Sequence, residues 1–149
     1  YEMDHHNGRI RLDRTLFTAT AYPNDYGFIE DTLGQDGDPL DALVISRSPF
    51  IAGCVVRARP IWVLNLEDEH GGDEKLIAVP APKITRRYEN VHEVTDLPQI
   101  TRDQIQHFFE HYKDLEQGKW VKILGWEGPE AARKEIMDGI ANYNKTLAQ

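Results

Sequence analysis

A chain of 149 residues suffices for one domain with a substantial core, and its formal net charge of -8 excludes nucleic acid as the main partner, because grip on phosphate backbones rests on clustered Lys and Arg. No apolar run approaches the length of a membrane span, which argues against any membrane-embedded role. The lone Cys54 forms no internal disulfide, as expected in a reducing compartment such as the cytoplasm.

The first two thirds of the chain read as short strands and tight turns. Asn7-Gly8 between polar-apolar alternations is a strong hairpin signal, and Arg9 to Asp13 alternates with the period of a half-buried strand. Tyr22-Pro23 and Tyr26-Gly27 predict irregular chain, after which Phe28-Ile29-Glu30 resumes a strand. Asp36-Gly37-Asp38-Pro39-Leu40-Asp41 then places three carboxylates ahead of the apolar run Ala42-Leu43-Val44-Ile45. Val55 to Leu66 is a long β-rich run in which Pro60 predicts an edge or a bulge. His70-Gly71-Gly72 turns it back into a strand over Lys75 to Val79, and Val121 to Leu124 is a later strand.

Two helices follow from spacing. One starts near Thr101, with Asp103 in its first turn and Ile105, Phe108, Phe109 and Tyr112 along it. The other follows Gly128-Pro129 and carries Ala132, Ile136, Ile140 and Tyr143 on one face, with proline suited to the first helical position. There are no repeats or linkers, so a single domain over residues 1–149 is expected. Its expected class is α+β: a small five-stranded antiparallel barrel, closed or nearly so and resembling the OB type, with two flanking helices.

The chemistry concentrates in the aspartates. Carboxylates this close repel one another and lose solvation, which raises their pKa values unless a cation sits among them. Magnesium is commonly held by one or two carboxylates, waters and substrate phosphates, so the segment reads as a magnesium site or as a solvated Asp/Gly turn. An EF-hand is excluded, because the twelfth position from Asp36 is Arg47 where a bidentate Glu is required. On an extended backbone Asp36 and Asp38 would share one side, with Pro39 redirecting the chain towards Asp41. A second acidic stretch, Asp68 to Glu74, brackets the predicted hairpin turn, so that Asp68 and Asp73 stand on opposite arms. Arg14, Tyr22, Tyr26, Tyr112 and Lys113 supply the cations and hydroxyls that a phosphate-plus-magnesium site needs, although a helix-end lysine and packed tyrosines also suit structural roles.

The segments AYPNDYGFIEDTL, DGDPLDALV, DEHGGDEK and HFFEHYKDLE, long and in order, resemble the soluble, magnesium-dependent inorganic pyrophosphatases of family I across nearly the whole chain. The compact length is similar to the bacterial branch, which implies a homohexamer. The resemblance implies hydrolysis of pyrophosphate to two phosphates, drawing forward the biosynthetic reactions that release it. It assigns Asp36, Asp41 and Asp73 to a first metal, with Asp41 shared with a second, and Asp68 with Asp73 to metals arriving with substrate. It places Asp38 beside the attacking water, with Asp73 as the other candidate proton acceptor. Arg14, Tyr26, Lys75, Tyr112 and Lys113 match phosphate-holding positions, and Glu2 and Tyr22 outer members of the pocket. His5 and His70 are further candidates, His70 for tuning pH dependence or metal choice. Several Mg2+ ions per site are implied, with Mn2+ or Zn2+ as substitutes and Ca2+ as an inhibitor. The family also implies a strand and loop ahead of Tyr1 bearing a metal-associated Glu and a phosphate-binding Lys, so a protein truly beginning at Tyr1 is expected to fold poorly or turn over slowly. Two readings from other classes are an oligonucleotide-binding barrel, which the acidic charge opposes, and a nucleotide phosphohydrolase, for which no base-stacking signal is found.

Overall fold

The computed structural model describes Tyr1–Gln149. Seven strands and two helices follow in the order β1 (Glu2–Asp4), β2 (Arg9–Arg11), β3 (Asp25–Phe28), β4 (Asp41–Val44), β5 (Ala58–Asp68), β6 (Gly71–Pro80), α1 (Gln99–His111), β7 (Val121–Glu127) and α2 (Pro129–Leu147). Strands β1 and β2 pair as the Asn-Gly hairpin, with Gly8 at φ 68°. The other five form one sheet in the order β3-β4-β6-β5-β7.

That sheet corrects the expectation of an antiparallel barrel. It has five strands, but β4 and β6 run parallel, and β3 and β7 are left as edges with no pairing between them to close a barrel. The reason lies in the connection. Parallel neighbours need a crossover of a dozen or more residues. Here the chain leaves β4, builds β5, and folds back as β6 into the gap between β4 and β5.

Smaller corrections follow the same logic. Tyr26 and Gly27, expected in irregular chain, belong to β3 because β4 offers them antiparallel partners in Leu43 and Ala42, while Ile29 and Glu30 fall beyond the strand. Asp36 and Asp38 sit in a turn and not on extended backbone. Pro60 lies at a register shift between Pro60 and Trp62, and β7 pairs with β5 only from Val63 onward, so the proline sits at a bulge on a stretch of β5 with one free side. The hairpin turn is Glu69-His70, and Gly71 at φ 115° already opens β6. Helix α1 starts at Gln99, while α2 begins at Pro129 as its sequence signal implies.

Each face of the sheet carries a helix. Leu43, Ile45, Trp62, Leu64, Leu66, Ile77 and Val79 pack against Ile105, Phe108, Phe109 and Tyr112 on the α1 side. Leu40, Ala42, Val63 and Leu76 pack against Ala132 on the α2 side. The Trp126 indole N–H donates to Gln106 Oε1 at 2.7 Å, tying β7 to α1. No helix is long and apolar enough to cross a membrane.

Candidate active site

The polar residues gather where the α1-side core ends. Leu66 pairs with Asp73 and Leu64 with Lys75, so Asp68, Asp73 and Lys75 continue the apolar row made by Leu64, Leu66 and Ile77. Parallel pairing of Ala42 with Leu76 and Leu43 with Ile77 brings Asp41, the first residue of β4, alongside Lys75. The expected proximity of Asp68 and Asp73 is thus a diagonal one across the hairpin.

Lys75 is the centre of the cluster. Its ammonium, only 4% exposed, donates to Asp41 Oδ2 at 2.8 Å and to the Tyr26 hydroxyl at 2.8 Å, and lies 2.9 Å from Asp73 Oδ2. It also sits 5.3 Å from the Tyr26 ring centroid and 5.9 Å from that of Phe109. Burial opposes its charge, but Tyr26, Asp41 and Asp73 together hold its pKa well above the ordinary lysine value. Asp73 is shifted upward, chiefly by burial and further by Asp41 and Asp68, with Lys75 only partly offsetting this. Burial likewise raises the Tyr26 phenol, which stays a neutral donor and acceptor.

A second cation closes the far side. Just past the end of α1, Lys113 Nζ reaches Asp68 Oδ2 at 3.1 Å and Glu69 Oε1 at 3.7 Å. Burial would raise the Asp68 pKa, but the His70 backbone N–H, donating at 2.9 Å, and Lys113 outweigh it and keep the group low. Lys113 is itself held high: its partial burial is overcome by Tyr112 and Asp68.

Aromatic rings form the wall between these groups. Tyr22 stacks on Tyr26 at 4.9 Å between centroids and contacts Phe108 at 4.6 Å, and Phe108 stacks on Tyr112 at 5.2 Å. Burial pushes the Tyr22 phenol up to about 12. Arg14 enters from the segment before β3 and forms an ion pair with Glu116, whose carboxylate also accepts from Lys119 Nζ at 2.9 Å.

Asp36 and Asp38 lie on the exposed loop ahead of β4. Asp38 N–H donates to Asp36 Oδ1 at 3.0 Å and Gly34 N–H to Asp38 C=O at 2.8 Å, while Gly37 takes φ 89°. The left-handed backbone there is what glycine permits cheaply. Glu2 pairs with Arg11 at 3.4 Å on the exposed β1–β2 hairpin, and His5 meets Phe28 edge-on at 4.9 Å, so neither bonds to the cluster. The His70 side chain is 84% exposed, and its Nε2 lies 3.7 Å from Glu69.

The structure adds two carboxylates that sequence reasoning passed over, Glu69 beside Lys113 and Glu116 beside Arg14. Glu69 was adjacent to Asp68 in an already suspect turn. Glu116 had no signal, since its partner lies 102 residues away.

The donor set suits a hard divalent ion. Asp41, Asp68 and Asp73 offer only carboxylate oxygens, two of them already share one buried cation, Lys75, and Asp36 stays apart on the exposed loop. No three acidic or histidine side chains close on a common point to form an all-protein cage. An open carboxylate set of this kind leaves positions on a bound ion for water and substrate oxygens.

The inorganic pyrophosphatase family profile matches residues 1–144. Inorganic pyrophosphatase from Agrobacterium fabrum is 54% identical over 143 residues, covering 96% of the chain and 81% of that protein. Its counterpart from Bradyrhizobium diazoefficiens is 57% identical over 145 residues, covering 97% and 82%. Among solved structures, the inorganic pyrophosphatase of Helicobacter pylori superposes with a TM-score of 0.94 at 51% identity, covering 97% of the chain and 85% of that one. That of Thermus thermophilus gives 0.92 at 48% identity, covering 97% and 83%. With most of the chain matched in sequence and in fold, this protein belongs to the inorganic pyrophosphatase family, the inorganic diphosphatases, in its bacterial family I branch.

Proposed function

We propose that the chain hydrolyses inorganic pyrophosphate to two orthophosphates with magnesium as cofactor, Mn2+ or Zn2+ serving as substitutes. The observation that carries this reading is the buried Lys75, shared by Asp41, Asp73 and Tyr26 next to the Lys113–Asp68 pair. A pocket alternating carboxylates and cations at this spacing accepts a small polyanion together with divalent metal. Enzymes of this family depend on divalent metals, and the relatives named above are inorganic pyrophosphatases. By the same reasoning the protein works in the cytoplasm as a homohexamer, removing the pyrophosphate that biosynthetic reactions release.

The roles fall as follows. Asp36, Asp41, Asp68 and Asp73 would hold magnesium, which when bound neutralises phosphate oxygens and acidifies the attacking water. Asp38, on the loop between Asp36 and Asp41, orients that water and takes its proton, with Asp73 as the other acceptor within the pocket. Arg14, Tyr26, Lys75, Tyr112 and Lys113 bind phosphate oxygens and stabilise the charge that builds on the leaving phosphate. Lys75 donates to Asp41 and Tyr26 and lies beside Asp73, so its third N–H is the one nearest at hand for a phosphate oxygen. Tyr22 stacks behind Tyr26 and keeps bulk water from that side.

The test is phosphate release from pyrophosphate with and without magnesium, beside ATP as an alternative substrate. Magnesium-dependent release from pyrophosphate, with ATP spared, is expected. D38N and D73N should each lose roughly a hundredfold or more in kcat while staying folded. Folded protein that releases nothing from pyrophosphate, or that prefers ATP, would overturn the reading.

A further inference from the structure

Helix α2 lies on the face of the sheet opposite the pocket, yet it grips the neck of the aspartate loop. The neck is formed by Thr32 and Leu33 on the incoming side and Leu40 on the outgoing side. The Thr32 hydroxyl, on a residue only 2% exposed, joins the two sides: it donates to Ile29 C=O at 2.7 Å and accepts from Leu40 N–H at 3.1 Å. Ile29 N–H in turn donates to Leu40 C=O at 2.8 Å.

Both backbone groups of Leu33 are then taken by α2. Leu33 N–H donates to Gly139 C=O at 2.9 Å, and Asn142 Nδ2 donates to Leu33 C=O at 3.4 Å. Glycine is unfavourable inside a helix, so Gly139 in the body of α2 points to a packing demand. A Cβ built there would lie 2.7 Å from Leu40 Cδ1, 3.2 Å from Leu40 Cγ and 3.3 Å from Thr32 Cβ. The missing side chain is what lets the helix backbone press against the loop neck. Leu40 is also next in sequence to Asp41, so any shift of the neck reaches the carboxylate beside Lys75 directly.

We infer that Gly139 and Asn142 of α2, acting through Thr32, Leu33 and Leu40, are positioning residues that set the magnesium affinity of Asp36 and Asp41. The inference rests on the proposed magnesium site and concerns residues that touch neither metal nor substrate. Groups that orient metal ligands from behind typically change metal affinity by about 10-fold or more when removed. The same scale applies here because the loop is otherwise exposed and braced only by its own turn.

The test is calorimetric titration of the full chain with magnesium chloride alone, paired with melting curves without metal. Gly139→Val is expected to weaken magnesium binding about tenfold, with Asn142→Ala shifting it less in the same direction. Thr32→Val should behave like Gly139→Val, whereas Thr32→Ser, which keeps the hydroxyl, should restore near-native affinity. Met137→Gly is the stability control, since it lies on the exposed side of α2; it should lower Tm and leave magnesium affinity unchanged. Wild-type affinity in folded Asn142→Ala and Thr32→Val would overturn the inference, as would an equal loss in Met137→Gly. Should Gly139→Val fail to fold, those variants decide alone. Wild-type protein that binds magnesium but cleaves no pyrophosphate would overturn the functional reading and leave the positioning result to stand on the titrations, whereas wild type without magnesium binding would overturn both.

Discussion

Lys75 decides more than any other single residue. It is a buried cation that donates to one carboxylate and one phenol and pairs with a second carboxylate. Lys75→Met would leave Asp41 and Asp73 facing each other without their shared charge, and stripping one partner from such a buried set costs about 3–5 kcal/mol. The expected outcome is a melting temperature lowered by roughly 6–20 °C in metal-free buffer and largely recovered in millimolar magnesium, with turnover still lost. A variant as stable as wild type without metal would show that Lys75 does not balance these carboxylates. That acidic groups gather here is legible in residue type and spacing, since Asp68 and Asp73 bracket one turn and Asp41 opens an apolar strand. The partner of each is not. That Tyr26 caps Lys75 follows from β3 pairing with β4, and the pairing register is a property of the sheet, not of the local sequence.

At the level of elements, periodicity and turn chemistry located both helices and the long hairpin, because α1, α2 and the β5–β6 arms each bury a regular apolar row. What escaped was strand direction. Nothing in Asp41–Val44 or Gly71–Pro80 states that the two lie parallel, since a four-residue strand and the apolar half of the longer one are compatible with either sense. The exposed segment before β3 was equally opaque. It is tethered by Arg14 to Glu116 in the turn after α1, where Lys119 completes the pair of cations. Hydrogen bonds from Lys119 and Arg14 hold the Glu116 carboxyl below the ordinary glutamate value of 4.5. A lowered folded-state pKa stabilises at pH above the unfolded value and is lost as pH falls through the folded one. E116Q should therefore melt roughly 2–5 °C below wild type at pH 7, and the gap should narrow as pH drops below about 4.5. Parallel melting curves of the two proteins across pH 3 to 7 would contradict this tether.

For the whole molecule, the parallel seam of β4 and β6 is expected to close after the β5–β6 hairpin. The β5–β6 hairpin closes from neighbouring residues and forms quickly, but β4 finds β6 only after that hairpin exists and a long intervening segment has been drawn in. Asp41 and Lys75, 34 residues apart, are thus expected to meet only after the local hairpin has closed. A refolding chain is expected to regain its circular dichroism before its catalytic competence, passing through a stage with strands and helices present and the acidic groups still unneutralised. Stopped-flow ellipticity against interrupted-refolding activity would reveal the lag, and coincident traces would contradict it. Divalent cation added at the start should shorten that late phase, so the same ion would serve as an assembly factor before it takes part in any turnover.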